Sequence, residues 1–509
     1  MRSPLSRGRH RNVITRIIKM TICFFGNSFK YEIEAVMKLF LPLMTFDFLF
    51  EEYPAEEGDV CAVKRIPSLS RDGYILSVSV SLNGEKREVF SEKDGDFADT
   101  EDEGELCRSL YKIMQELTGI TPPWGCLTGI RPVKKVNKLL DEGHKKDEIF
   151  SILKKEYFVS DEKLELAYQT ALAQEGALKA LDKRSYSLYI SIPFCPSRCS
   201  YCSFVSHSVE KPEAKKLMDP YVRKLREEIK EISIIASQLD LRLDTIYIGG
   251  GTPTSLSPEQ LEAVMDSVKK SFDISKIREY NVEAGRPDTI TEKKLEIIKD
   301  FGATRISVNP QTMNDNVLKA IGRRHTAKDA EEAFRAARRL GFGNINMDTI
   351  AGLPTDTADG FRHTIETLCK LDPESITIHT LTVKRASRLF SEQEHDPDSH
   401  TSEMVSFGQK KLLDTGYIPY YLYRQKNTTQ NLENVGFAKQ GCECLYNIYI
   451  MEEAQTILAA GAAGSTKLVN TDTGKIERLF NYKFPYEYIS RYDRMMEKKS
   501  GIINFFNHI

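Results

Sequence analysis

The sequence predicts an α/β protein in which a partial, six-stranded β/α barrel lies between an N-terminal α+β domain and a C-terminal α+β extension. Three observations point to it. From Ser187 onward, short β-rich runs alternate with segments of helical spacing, which reads as βα units feeding a parallel sheet. Before that point the texture is mixed, with an Asn-Gly hairpin signal at Asn83-Gly84. From about Arg388 the alternation fades. The expected boundaries are a leader at 1–19 and domains at 20–181, 182–387 and 388–509.

The elements follow in order. Arg2, Arg7, Arg9, Arg11, Arg16 and Lys19 make a basic, acid-free leader. It reads as a start-site extension or disordered tail rather than an organelle transit peptide, because Thr21–Phe25 already has the pattern of a first strand. Tyr31–Leu41 has helical spacing, and Tyr74–Leu82 and Arg87–Phe90 flank the hairpin turn. Asp94–Glu105 reads as an acidic loop, and Pro122-Pro123-Trp124-Gly125 as a turn holding a core aromatic. The barrel strands are expected at Leu188–Ile192, Thr245–Ile248, Asn281–Glu283, Arg305–Val308, Asn344–Ile350 and Ser375–His379. Helices are expected between them at Glu213–Leu239, Pro258–Phe272, Lys293–Phe301, Ala327–Leu340 and Gly360–Leu371. In such sheets the chemistry collects at the carboxyl ends of the strands.

Composition narrows the function. A chain of 509 residues suggests about three domains at ~150 residues each. At 41% hydrophobic and 28% charged it is too apolar for disorder. A net charge of -2 gives no reason to expect nucleic acid or a membrane surface as partner. No run reaches the ~18 apolar residues of a membrane span, since Leu39–Phe50 is short and broken by Pro42 and Asp47. Ten cysteines are too sparse for a disulfide scaffold and point to a reducing, cytoplasmic setting.

Three of those cysteines, Cys195, Cys199 and Cys202, lie within eight residues at C-x3-C-x2-C spacing, just past the first barrel strand. Clustered thiolates select zinc or iron–sulfur chemistry. A zinc knuckle completed by His207 is the simpler alternative. The position at a strand's carboxyl end, and Tyr201 set between two thiols as an apolar screen, favour an iron–sulfur cluster with one iron left open.

This loop, preceded by Tyr189-Ile190-Ser191-Ile192-Pro193-Phe194, resembles the signature of the radical S-adenosylmethionine (SAM) superfamily, and within it the oxygen-independent coproporphyrinogen III oxidase family, HemZ branch. Gly249-Gly250-Gly251-Thr252-Pro253-Thr254, Glu283, the run Arg305–Gln311, Ile321–His325, Asp348–Pro354 and Glu433–Gly436 carry the resemblance further. It implies that Cys195, Cys199 and Cys202 hold a 4Fe–4S cluster whose open iron chelates SAM. It also implies that Tyr189, Gly250, Gly251, Thr252 and Glu283 contact that SAM. Tyr201, Gln311, Arg323 and Asp348 match positions lining a second SAM in coproporphyrinogen oxidases. Tyr189, Glu283, Gln311, Arg323 and Asp348 are the residues expected to carry catalysis, and an unpaired carboxylate at Asp348 inside an apolar strand is expected to have a partner.

The implied reaction is oxidative decarboxylation of propionates on a tetrapyrrole, coproporphyrinogen III, to vinyls. An unidentified electron donor and acceptor take part. Arg198, Arg305, Arg323, Lys384 and Arg385 are the cations expected to meet the substrate's carboxylates. Three rivals stand beside this reading: a HemW-like heme chaperone, a radical SAM enzyme with another substrate, and a non-enzymatic cluster scaffold. The chaperone's HNxxYW signature falls at Tyr446-Asn447-Ile448-Tyr449-Ile450-Met451, which departs from it.

Overall fold

A computed structural model describes residues 19–42, 44–54, 58–68, 72–204, 206–382, 387, 389, 400–425 and 428–507. The basic leader up to residue 18, and Lys384 and Arg385, lie outside the described residues. The chain forms two compact units, Met1–Thr128 with Phe150–Lys163, and Gly129–Ile149 with Leu164–Ile509.

In the first unit β1 (Lys19–Phe25), α1 (Lys30–Phe40), β2 (Thr45–Phe50), β3 (Val60–Pro67), β4 (Gly73–Leu82), β5 (Glu85–Asp94) and α2 (Asp99–Thr118) build a sheet in the order β2-β1-β3-β4-β5. Lys19, counted with the leader from sequence, is the first residue of β1 and pairs with Thr45. The Asn-Gly turn forms as expected: Leu82 faces Glu85, and Asn83 and Gly84 take φ of 52° and 84°, the positive values that this turn demands. Ile22, Phe24, Val63, Val78 and Val80 share one core with Ile33, Val36 and Phe40 of α1 and Leu106, Leu110 and Met114 of α2. Trp124 is buried, as a core aromatic should be.

The acidic stretch read as a loop is a correction. From Asp99 it is the first turn of α2. Asp99, Glu101 and Asp102 sit where negative charge meets the positive end of the helix dipole. Asp102 is buried and accepts from Tyr74 Oη at 2.7 Å, so acidity here marks a helix start, not solvent.

Helices α3 (Val133–Asp141), α4 (Lys146–Tyr157) and α5 (Asp161–Lys179) precede the second sheet. All six expected barrel strands are present: β6 (Ser185–Ile192), β9 (Arg242–Gly250), β10 (Glu279–Gly285), β11 (Arg305–Val308), β12 (Ile345–Ala351) and β13 (Ser375–Thr380). They pair in parallel in that order. The short β7 (Phe194–Cys195) and β8 (His207–Ser208) bracket the cysteine loop. Helices α6 (Pro212–Gln238), α7 (Pro258–Ser271), α8 (Glu292–Asp300), α9 (Asp315–Ala320), α10 (Ala327–Arg339) and α11 (Ala358–Leu371) connect the strands.

Beyond them lie α12 (Thr401–Asp414), β14 (Ile418–Arg424), β15 (Glu433–Ala438), α13 (Leu445–Glu452), β16 (Thr456–Ala460), β17 (Ser465–Val469), β18 (Ile476–Phe480), α14 (Pro485–Ser490), α15 (Tyr492–Glu497) and α16 (Ser500–Asn507). They extend the same sheet at both edges. β15 adds antiparallel beside β13, and β14 antiparallel beside β15. β16 returns as a further parallel strand beside β6, its five residues all buried.

Each strand residue alternates between two faces. One face is apolar and buried: Leu188, Ile190, Ile246, Ile248, Val282, Ile306, Met347, Ile376 and Ile378. The other carries Ser187, Tyr189, Thr245, Tyr247, Asn281, Glu283, Ser307, Asn346, Asp348, Thr377 and His379. Register keeps the second set on one side, with Tyr189 opposite Tyr247, Tyr247 opposite Asn281, and Asp348 opposite Thr377. Buried polar groups are costly unless they are bonded, so such a face is built for ligands rather than for core packing.

Candidate active site at the strand ends

The cysteine loop is fastened to the end of β9. The amides of Gly251 and Thr252 donate to the carbonyls of Ile192 and Phe194, each at 2.8 Å. A Cβ on Gly251 would lie 2.6 Å from the Phe194 oxygen and 3.0 Å from Cys195 Sγ, so only glycine fits. Gly250 sits at a φ of 111°, another glycine conformation. The hydroxyl of Thr252 stands 3.5 Å from Cys195 Sγ. Cys195 and Cys199 are buried and Cys202 half-buried, and the Cys202 amide donates to the Cys199 carbonyl at 3.2 Å.

Two carboxylates face one another electrostatically across the strand ends. Burial pushes Glu283 up to about 7; Tyr247 Oη, which hydrogen-bonds it, pulls down, and the Asp348 charge pushes further up. Gly249 makes room for it, because a Cβ there would lie 2.8 Å from Glu283 Oε2. Asp348 behaves oppositely. Burial alone would raise it, but His379, whose Nε2 lies 3.8 Å from Oδ2, and Asn346, which donates to Oδ1 at 2.7 Å, hold it below the ordinary carboxylate range. The partner expected for Asp348 is therefore present, on the neighbouring strand.

Gln311 follows β11 at a φ of 69° and is buried. Its amide donates to the Asp348 carbonyl at 3.0 Å, and among the described residues its Oε1 has no hydrogen-bond partner. Arg323, also buried, donates to the Asn309 carbonyl at 2.7 Å and to Tyr201 Oη at 3.2 Å and also interacts with Cys199; among the described residues its Nε has no hydrogen-bond partner. Tyr189 packs its ring near those of Tyr247 and Tyr446, with centroids 6.0 Å away in both cases. Gln311, Asp348, Arg323 and Tyr201 thus lie in one set of contacts through Asn309, and the Asp348 charge acts on Glu283.

One expectation fails. Arg305 was expected to meet substrate, but it opens β11, at the amino end of the strand and away from this mouth. It is fully buried and spends its guanidinium on Asn344 Oδ1 (2.6 Å), the Cys442 carbonyl (2.8 Å) and Ser375 Oγ (2.5 Å). Arg198 lies on the cysteine loop, half-buried. The sequence reading gave four residues of this neighbourhood no role at the site: Tyr247, His379, Arg286, and Tyr446, which it weighed only against the chaperone signature. The polar alternation along the strands would have marked the first two. Nothing local marks the others, which arrive from α13 and from the turn after β10.

The residues suit a cluster and a chelated ligand. Among the described residues no three His, Cys, Asp or Glu side chains converge as a single metal ion would need. Three thiols on one loop suit the separate irons of a cluster. The tight glycine turn beside Cys195, and the unsatisfied buried Gln311 Oε1 and Arg323 Nε, leave hydrogen-bonding capacity for a polar ligand at the same mouth.

Comparison with known proteins agrees. Residues 189–368 match the family described as the radical SAM superfamily. The oxygen-independent coproporphyrinogen-III oxidase-like protein HemZ of Bacillus subtilis (strain 168) is 41% identical over 394 residues, 76% of this chain and 78% of that one. The heme chaperone HemW of the same organism is 35% identical over 315 residues, 59% of this chain and 77% of that one. Among solved structures, coproporphyrinogen III oxidase (HemN) from Escherichia coli superposes with a TM-score of 0.50 at 21% identity, over 64% of this chain and 72% of that one, which shows a shared fold. With strand order, cysteine loop and sequence relatives in accord, the chain belongs to the radical SAM superfamily, in its coproporphyrinogen-III oxidase-like HemZ group, and its cofactors are a 4Fe–4S cluster and SAM.

Proposed function

We propose that this radical SAM enzyme decarboxylates propionate side chains of coproporphyrinogen III to vinyls without oxygen, giving protoporphyrinogen IX. One observation carries the reading: residues matching both SAM sites of coproporphyrinogen oxidases collect at the carboxyl ends of neighbouring strands, with Thr252 at Cys195, the Asp348 charge acting on Glu283, and Arg323 bonded to Tyr201. The ten free cysteines suit a reducing, cytoplasmic setting.

Cys195, Cys199 and Cys202 would hold the cluster, and Gly250, Gly251, Thr252, Glu283 and Tyr189 would contact the first SAM. When bound, cluster and SAM supply a deoxyadenosyl radical able to take hydrogen from the β-carbon of a propionate. The chain's own residues orient and shield. Asp348, held ionised by His379 and Asn346, is a fixed acceptor. Glu283, near half-protonated at neutral pH, can accept or donate. Gln311 Oε1 and Arg323 Nε, without partners among the described residues, offer an acceptor and a donor to a polar ligand. The tyrosines Tyr189, Tyr247 and Tyr446 form an apolar wall that keeps water from a reactive centre. Arg198, Lys384 and Arg385 remain the cations proposed to pair the substrate's carboxylates.

The test is anaerobic incubation of the reconstituted chain with SAM, a reductant and coproporphyrinogen III, with mass spectrometry of deoxyadenosine and tetrapyrrole. Both products should form, and neither with Cys199→Ala. Deoxyadenosine without the decarboxylated tetrapyrrole would move the reading to another substrate. The similarity to the heme chaperone HemW favours a second reading. Stable heme binding with no SAM cleavage would establish that one instead.

A further inference from the structure

Arg286 follows β10 and is 3% exposed. A buried guanidinium needs partners on every side. One edge forks onto Asp288, with Nε to Oδ1 at 2.9 Å and Nη2 to Oδ2 at 2.7 Å. The remaining nitrogen, Nη1, reaches the cysteine loop: it donates to Ser197 Oγ at 3.0 Å, to the Ser197 carbonyl at 3.3 Å and to Cys199 Sγ at 3.6 Å. His325, buried, flanks Asp288 with Nδ1 3.8 Å from Oδ1. Cys195, by contrast, meets a neutral hydroxyl, that of Thr252.

We propose that Arg286 is a positioning residue for the cluster: its guanidinium, locked by Asp288, donates to the Cys199 sulfur and sets how readily the cluster accepts an electron. The inference rests on the family's 4Fe–4S cluster, not on any particular substrate. One electron from an external low-potential donor reduces the cluster, and no bond forms or breaks in that step. Reduction adds negative charge shared with the ligand sulfurs. A hydrogen bond and a buried positive charge at one sulfur stabilise that reduced state, and hydrogen bonds to sulfur are among the terms that set cluster potentials. The fork onto Asp288 fixes Nη1 at the sulfur, so no side-chain freedom is lost when charge arrives.

The experiment is an anaerobic redox titration of the full chain carrying its cluster, followed by electron paramagnetic resonance, for wild type, Arg286→Gln, Arg286→Lys and Asp288→Asn. Iron and sulfide per chain are measured in each. Arg286→Gln should keep its cluster yet lower the reduced-to-oxidised ratio at a fixed poise about tenfold, some 59 mV for one electron. Arg286→Lys, which keeps the charge but loses the fork, should fall between. Asp288→Asn, which frees the guanidinium but also removes a negative charge beside it, should not lower the ratio as far as Arg286→Gln does. An unchanged ratio in Arg286→Gln with full cluster content overturns the proposal. If Arg286→Gln fails to hold the cluster, Arg286→Lys decides: a wild-type ratio there overturns it. Failure of wild type to assemble any reducible cluster would instead strike the family reading, so the two failures are distinguishable.

Discussion

The ring of Tyr446, from α13, stacks on that of Tyr247, from β9, with centroids 4.4 Å apart and 29° between planes. Tyr247 in turn hydrogen-bonds Glu283. The C-terminal extension therefore supplies one wall of the barrel's site. Truncating Tyr446 to Ala should cost roughly 3–5 kcal/mol, as for large buried aromatics. Tyr446→Phe, which keeps the stack, should stay within about 1 kcal/mol of wild type. Urea unfolding of the two variants checks this. Equal losses would mean that the stack contributes nothing beyond its hydroxyl.

Glu283 makes stability depend on pH. Its folded value of about 7 exceeds the ordinary 4.5, so the folded chain binds that proton more tightly than the unfolded chain. Its contribution is complete below about pH 4.5 and is lost as pH rises through 7. The stability difference between wild type and Glu283→Gln should change by roughly 3 kcal/mol across that window and be flat above it. Asp348→Asn removes a charge that raises Glu283, so it should move the window to lower pH. Denaturant titrations at a series of pH values measure both.

The barrel was legible in the sequence because its strands and helices differ in period. All six strands and their long helices fall where alternation and helical spacing put them, within two or three residues. The cysteine loop was legible because its spacing is local, whereas the glycine turn and Glu283 entered only through the family resemblance. Arg305 was misread because a cation in a strand looks the same at either end. Only its place at the first position of β11, where Asn344 and Ser375 hold it, shows that it serves the closed end. Arg286 and Tyr446 were missed for a related reason: their partners, Cys199 and Tyr247, lie 87 and 199 residues away. The acidic start of α2 was missed because charge was weighed as a loop signal without the helix dipole.

Gly436 is explained by one contact. It stands opposite Tyr421 on the antiparallel pair β14–β15, and a Cβ there would lie 1.9 Å from Tyr421 Cε1. The ring lies across the glycine, and the strand cannot accept a methyl without moving it. Gly436→Ala should destabilise by roughly 1–3 kcal/mol. Tyr421→Phe keeps the clashing carbons and should not rescue the variant. Tyr421→Ala should make the double mutant less than additive, since it removes the atoms in the way. An additive double mutant, measured by chemical unfolding, would place the strain elsewhere.

Arg305 provides the sharpest contrast between a structural and a substrate-binding cation. Its guanidinium binds Asn344, Ser375 and the Cys442 carbonyl, and its charge lies near the buried Glu279, which accepts from the amides of Leu445 (2.8 Å) and Tyr446 (3.2 Å) at the start of α13. Removing the cation leaves that carboxylate buried without its counter-charge, a loss of about 3–5 kcal/mol. Arg305→Met should therefore lower the unfolding midpoint strongly. The fraction that remains folded should show an unchanged KM for the substrate proposed above. A raised KM with unaltered stability would return Arg305 to the substrate, against its position at the amino end of β11. Because Glu279 also orients α13, loss of Arg305 should additionally loosen the Tyr446 stack. Double-mutant cycles between Arg305→Met and Tyr446→Ala should then show coupling of 0.5 kcal/mol or more, the roughly expected size for residues that share one network.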